Sequence, residues 1–313
     1  EYRGYDSAGM ATLGGGGLEV AKRVGPVREL ESAVVEPLAG STGIAHTRWA
    51  THGTVTEANA HPHLDSLGRI AVVHNGIVEN MVALKQRLQE EGVEFRSETD
   101  SEVLAHLISC FYYSGNSLGN SMSPEAEGDP LEAVKAALQR VRGTWGIAVV
   151  FVDHPDTIIT ARNGSPLVVG LAEGETFLAS DSHALVPYTR RVLFLNDGDI
   201  ARIDLSGVHT SRMDGGPISP DIQTLDELWG DGEKGDFPHF MLKEIHEQPS
   251  AIRNCITGRV VPEEGTARLG GLGLSPRELV EIQRVGLIGC GTSYHACQVG
   301  AAASRAARRA SRT

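Results

Sequence analysis

Hydrophobic and polar positions change period several times along this chain, and each change marks an element. Arg69–His74 (RIAVVH) is a short apolar run of the kind that forms a buried strand. From Ile77 the apolar positions Met81, Leu84 and Leu88 recur at helical spacing, and Gly92 follows as the expected C-cap. Thr99-Asp100-Ser101-Glu102 fits a capping box ahead of a second helix carrying Val103, Leu104, Leu107 and Ile108. Residues 114–130 are rich in Gly, Ser and Pro and read as a flexible insertion. A third helix is expected over Leu131–Arg142, stopping at Gly143.

Short strands then come at 145–152, 157–162, 166–171, 175–180, 192–196 and 199–205, with Asn-Gly and Asp-Gly turns at 163–164 and 197–198. Strands, then helices, then an antiparallel meander predict an α+β domain with sheets packed between helices. A Gly- and acid-rich break at about 229–238 separates this domain from the rest of the chain. Beyond the break, residues 239–256 read as a helix interrupted near Pro249. Arg284–Ile288 reads as a strand entering GCGTSYHACQVGAAA, the opening of a second, α/β domain. The expected domains are therefore residues 1–237 and 238–313. No internal repeat is evident.

Composition narrows the classes of function. With 313 residues and 41% hydrophobic content the chain can bury a substantial core. A net charge of −12 and 5% aromatics argue against nucleic acid or an anionic membrane as partner. No apolar run approaches the ~18 residues that suggest a membrane span. Cys110, Cys255, Cys290 and Cys297 form no C-x-x-C pair and read as small buried thiols of a reducing cytoplasm. The opening Glu1-Tyr2-Arg3-Gly4, with no initiator Met, reads as the start of a fragment.

Three polar clusters fall where strands should end: HTRWATHG (46–53), HNGIVEN (74–80) and SETDSE (97–102). Arg48 can grip a carboxylate through two parallel N–H donors, with Thr51 and His52 beside it; alone it would equally suit a surface ion pair. Trp49 suits either a core or a gate. Asn75-Gly76 suits a hairpin turn, but helical spacing comes after it, which favours an oxyanion hole built from the Asn amide and the Gly N–H. Asp100, at the first turn of a helix, either serves the helix dipole or holds an ammonium group. Arg48 and Asp100 together would bracket an amino acid at both of its backbone charges. His61-Pro62-His63 lacks further ligands at metal-binding spacing, so no metal is expected there. No acyl-transfer nucleophile lies near these clusters, and no G-x-S-x-G is present.

EYRGYDSAG (1–9), HTRWATHG, AHPH (60–63), HNGIVEN, SETDSE, GSPLVVGL (164–171), FLASDSHAL (177–185), HFMLKEIHEQP (239–249) and GCGTSY (289–294) occur in the order found in one family. In these segments the chain resembles the glutamine–fructose-6-phosphate aminotransferases (isomerizing), and the resemblance extends over essentially its whole length. The resemblance implies a class II glutamine amidotransferase domain of the N-terminal-nucleophile fold, a four-layer α-β-β-α sandwich, followed by the beginning of an α/β SIS sugar-isomerase domain. It implies L-glutamine and D-fructose 6-phosphate as substrates, D-glucosamine 6-phosphate and L-glutamate as products, no cofactor, and a homodimer in the full-length protein. The family's nucleophile is an N-terminal cysteine upstream of EYRGYDSAG, absent from these residues, so the fragment alone is expected to be inactive. By the same resemblance Asn75 and Gly76 form the oxyanion hole, and Arg3 and Gly4 lie near the nucleophile. Arg48, Thr51, His52 and Asp100 hold glutamine, and Trp49 gates ammonia. Thr292 and Ser293 bind the sugar phosphate, a role in keeping with hydroxyl and N–H groups at a helix mouth. Two rivals remain: another class II amidotransferase, such as amidophosphoribosyltransferase or asparagine synthetase, and a degenerate domain that binds glutamine without hydrolysing it.

Overall fold

The computed structural model describes residues 4–34, 38–50, 53–113, 128–225, 234, 236–256, 260–261, 266–267 and 276–310. The chain divides into two compact units, Glu1–Glu233 and Lys234–Thr313.

The first unit begins with β1 (Ser7–Gly14), β2 (Gly17–Val24), α1 (Val27–Ala33) and β3 (Thr42–Arg48). Next come β4 (His63–Leu64), β5 (Ile70–Val78), α2 (Met81–Glu90), α3 (Ser101–Tyr112) and α4 (Pro130–Leu138). The meander comprises β6 (Gly143–Phe151), β7 (His154–Asn163), β8 (Val168–Leu171), β9 (Thr176–Ala179) and β10 (Arg191–Phe194). It ends with β11 (Asp199–Asp204), β12 (Gly207–Arg212), β13 (Pro217–Ile218) and β14 (Ile222–Thr224).

These strands build a seven-stranded sheet of order β13-β12-β11-β7-β6-β5-β4, a three-stranded sheet β2-β1-β3, and a four-stranded sheet β14-β10-β8-β9. All the strand pairings are antiparallel. Alternate residues of β5 and β6 serve two cores, which is why RIAVVH reads as a continuous apolar run. Ile70, Val72, Ile147 and Val149 pack under α3 and α4 against Leu104, Leu107, Ile108 and Val134. Ala71, Val73, Ala148 and Val150 face Ala11, Leu13 and Ile44 of the three-stranded sheet. The four-stranded sheet adds Val169 and Leu193, which pack on Ala201 and Ile203. The result is a helical layer on a large sheet, with two smaller sheets on the other face. α1 packs against β1 and β2.

Several expectations need correction. β5 does not end at His74: it runs through Asn75 and Gly76, which pair with Gly146 and Trp145 of β6. Helical spacing misplaced Ile77, and α2 starts four residues later. Gly92 does stop α2, with φ +90° and its N–H donating to the Gln89 carbonyl. The capping box at 99–102 does not form. Asp100 is the N-cap of α3 and makes no side-chain cap, while Glu102 accepts from the N–H groups of Arg96 and Ser97. α4 stops at Leu138, earlier than expected, because β6 already begins at Gly143. The insertion falls almost wholly outside the described residues.

In the second unit, α5 (Phe240–Ile256) contains Pro249 without a break in the helix. β15 (Val260–Val261), β16 (Thr266–Ala267), α6 (Pro276–Glu281) and α7 (Gly291–Ala310) complete it. Arg284–Ile288 is not a strand. A strand needs a neighbour, and β15 and β16, the strands described in this unit, pair with each other. Thr292 and Ser293 lie in the first turn of α7, exposed. Among the described residues no helix is long and apolar enough to cross a membrane.

Candidate active site

A pocket of about 210 Å³ opens in the first unit where the ends of β3 and β5 meet the start of α3. His46, Arg48 and Trp49 come from β3 and its exit, Asn75 and Gly76 from β5, and Asp100 and Ser101 from α3. Of the residues expected at the site, Arg48, Trp49, Asn75, Gly76 and Asp100 are thus brought together. Arg3, Thr51 and His52 lie outside the described residues. Gly4 packs directly on β3: a Cβ there would sit 2.4 Å from the Thr47 carbonyl oxygen.

β5 offers its donors to the pocket through its period of two. The His74 N–H turns away from β6 to His61 Nδ1, and the Val78 N–H reaches Asp100 Oδ2 at 2.8 Å. Gly76 lies between them, so its N–H points to the same side, into the pocket. Only glycine fits here: φ is +147°, and a Cβ would lie 2.0 Å from the Thr144 carbonyl oxygen. Asn75 projects from the opposite phase of the strand. Its Oδ1 accepts from His46 Nε2 at 2.8 Å.

Arg48 is 4% exposed, so it is no surface ion pair. Its guanidinium donates to the carbonyls of Thr54 and Gly53, at 3.2 and 3.3 Å. Burial lowers its affinity for its proton, and the charges of Asp6 and Asp100 oppose that shift. Asp6 also accepts from the Ala50 N–H at 2.7 Å, which fixes the chain leaving β3. Asp100 is buried as well, so the pocket wall carries one cation and one anion. Trp49 is 58% exposed and sits at the rim beside Tyr5, with ring centroids 5.5 Å apart. A core role for Trp49 is therefore ruled out.

Behind the pocket lie four histidines, none of which the sequence singles out for a role at the site. His46 packs against His61 with the rings tilted by 31°, and His61 meets His63 edge-on. His63 pairs with Thr99, and His74 with Ser101 Oγ at 2.9 Å. The available signal was alternation in β3, where Ile44, His46 and Arg48 share one phase. Among the described residues no cluster of His, Cys, Asp or Glu is arranged to hold a metal.

Burial keeps these rings neutral. It lowers His46 to about 4 and His63 to about 3, and it lowers His61 and His74 as well. Unfolded, the same rings titrate near 6.5. The unfolded chain therefore binds more protons below that value, and stability falls as pH drops from 6.5 toward 4 and 3. Glu102 adds a loss of the same sign further down. Burial would raise its carboxyl, but hydrogen bonds from His106, Ser97 and Arg96 outweigh that and hold it at about 2, below the ordinary 4.5. We expect the urea midpoint to fall steadily from about pH 6.5 to 4. A midpoint unchanged across that range would contradict neutral, buried histidines.

Cys110 is buried in α3, where burial pushes its thiol up to about 11, the opposite of an activated nucleophile. Cys290 and Cys297, in the second unit, are exposed and half-buried, so the expectation of small buried thiols fails for both. A larger cavity of about 1140 Å³, walled by Ala8, Ile44, Val73, Ala148 and Leu178, shares His46 and Asn75 with the pocket.

The pocket thus gathers a buried guanidinium, a buried carboxylic side chain and an Asn amide beside a Gly N–H. In comparison with known proteins, residues 46–187 match the family model described as a glutamine amidotransferase domain. Over 95% of its length the chain is homologous, at 51% identity, to a glutamine–fructose-6-phosphate aminotransferase [isomerizing] of Thermus thermophilus, of which it covers 46%. The enzymes of that name from Symbiobacterium thermophilum and Aquifex aeolicus are each 46% identical over 96% of the chain, which covers 47% of each. The chain thus spans about half the length of the curated relatives it matches. Among solved structures, glutamine phosphoribosylpyrophosphate amidotransferase from B. subtilis superposes with a TM-score of 0.55 at 25% identity, over 68% of this chain and 44% of that one.

Proposed function

We propose that this chain forms the glutamine-hydrolysing part, and the start of the sugar-phosphate part, of an enzyme that converts D-fructose 6-phosphate and L-glutamine to D-glucosamine 6-phosphate and L-glutamate. The observation that carries this is the convergence of Arg48, Asp100, Asn75 and Gly76 on one pocket. The identity of 46–51% that extends across the second unit favours this reading over a phosphoribosyl- or ATP-using relative.

In this mechanism Arg48 holds the α-carboxylate and Asp100 the α-ammonium, and Thr51 and His52 are the further glutamine-binding residues. A cysteine thiolate adds to the side-chain amide carbon. The oxyanion forms between Asn75 Nδ2–H and Gly76 N–H, ammonia leaves past Trp49, and water cleaves the thioester to release glutamate. The thiolate is that of a cysteine of the full-length protein, for which Arg3 and Gly4 are the expected neighbours. Cys110, buried and with a raised pKa, is unsuited to supply it.

The first domain, residues 1–237, is an N-terminal-nucleophile α-β-β-α sandwich in this reading. Residues 238–313 open an α/β SIS domain in which Thr292 and Ser293 meet the phosphate at the N-terminus of α7. The reaction takes no metal or organic cofactor, and the full-length enzyme works as a homodimer in the cytoplasm.

The test is an assay of the full-length protein for glutamate release from glutamine and amination of fructose 6-phosphate. Activity with both substrates is the expected result, and inactivity with glutamine would overturn the reading. Arg48→Lys is expected to raise KM for glutamine about 10–100-fold through loss of the bidentate grip, with a smaller change in kcat. An unchanged KM would remove Arg48 from the carboxylate site.

A further inference from the structure

Asn75 contributes to an oxyanion hole only when its amide is turned the right way. Nδ2 donates and Oδ1 repels an anion, and the two orientations differ by half a turn about a soft sp³–sp² torsion. Something must choose between them. We propose that His46 is the positioning residue that makes this choice, by donating Nε2–H to Asn75 Oδ1 and so aiming Nδ2 into the pocket. The proposal rests on the glutaminase reading above and adds a residue to it.

Three observations carry the inference. The Nε2···Oδ1 separation is 2.8 Å, and an amide oxygen can only accept, so the ring must donate. The second is on the other side of the ring, where Nδ1 is sealed from solvent and has no hydrogen-bond partner among the described residues. A proton there would be a buried donor without an acceptor, whereas a bare Nδ1 leaves only an acceptor unmet, the milder defect. A neutral ring has one proton to place, and both ends of the imidazole put it on Nε2.

The third observation is how the ring is held. His46 lies on β3, opposite Gly9 of β1, while Asn75 lies on β5 in the large sheet. The hydrogen bond therefore spans two sheets, and the amide cannot turn without breaking a contact anchored on the opposing layer. His61 packs against the His46 ring with centroids 4.2 Å apart, and His61 Nδ1 accepts the His74 N–H of β5. The ring is clamped from the side by the strand that carries Asn75.

Two measurements on the full-length protein test this. In ¹⁵N-histidine-labelled protein, the His46 ring is expected to show a protonated Nε2 and a bare Nδ1, and a ring protonated at Nδ1 would overturn the proposal. In steady-state kinetics, His46→Gln keeps an N–H donor at nearly the same place and is expected to hold kcat within about 3-fold. His46→Leu removes the donor and is expected to lower kcat for glutamine hydrolysis about 10–100-fold, with KM within about 2-fold because His46 touches neither backbone charge. Equal losses in the two variants, or a loss confined to KM, would also overturn it. Asn75→Ala separates the two levels. If that variant is inactive while His46→Leu matches the parent, only the positioning role fails. If it stays fully active, Asn75 is not in the oxyanion hole and the positioning role falls with it, whereas the glutaminase reading itself fails only if the parent protein is inactive with glutamine.

Discussion

Replacing Asn75 with alanine in the full-length enzyme is expected to lower kcat for glutamine hydrolysis by about 10²–10³ while leaving KM for glutamine nearly unchanged. The amide meets the substrate oxygen strongly only once that oxygen carries charge, so its loss is felt in the transition state and not in binding. Packing should survive, because Asn75 is only part-buried and its side chain bonds to His46 rather than to the backbone of either sheet. Steady-state kinetics with a thermal melt on the same variant would check both halves. A variant with parental kcat would remove Asn75 from the oxyanion hole, and one that lost kcat only by unfolding would show a structural role instead.

Gly76→Ala is expected to be more damaging and to act through the backbone. A methyl group at this position would sit 2.0 Å from the Thr144 carbonyl oxygen and 2.8 Å from His74 Nε2, with φ held at +147°. Relief requires β5, the last strand but one of the large sheet, to separate from β6. The expected cost exceeds about 3 kcal/mol, with loss of activity even in the fraction that folds. Urea denaturation compared with the parent measures it. A stable, active Gly76→Ala would mean that the strand can move aside, and the close approach to β6 would then carry no functional weight.

The residues that stand out in the sequence do come together in space, but their local geometry was not legible there. Arg48, Asn75, Gly76 and Asp100 stood out because charged and amide groups at such places add little stability. Their convergence depends on β3 and β5 lying in different sheets, which no local period reveals. The strand ending expected at His74 failed because helical spacing and a strand continuation both suit Ile77, and only the partner strand β6 decides between them. The capping box at 99–102 failed for a related reason: Glu102 finds the N–H groups of Arg96 and Ser97 first. His46 went unnoticed because a histidine in a strand is ordinary until its two nitrogens are traced. In the second unit, Arg284–Ile288 has the composition of a strand but no neighbour among the described residues with which to pair.

The most direct test of the central claim is a crystal structure of the full-length enzyme with L-glutamate bound. The account predicts the α-carboxylate on Arg48, the α-ammonium on Asp100, and a side-chain oxygen about 2.7–3.1 Å from both Asn75 Nδ2 and the Gly76 N. Glutamate bound elsewhere, or bound here with its side chain turned away from Asn75, would contradict it.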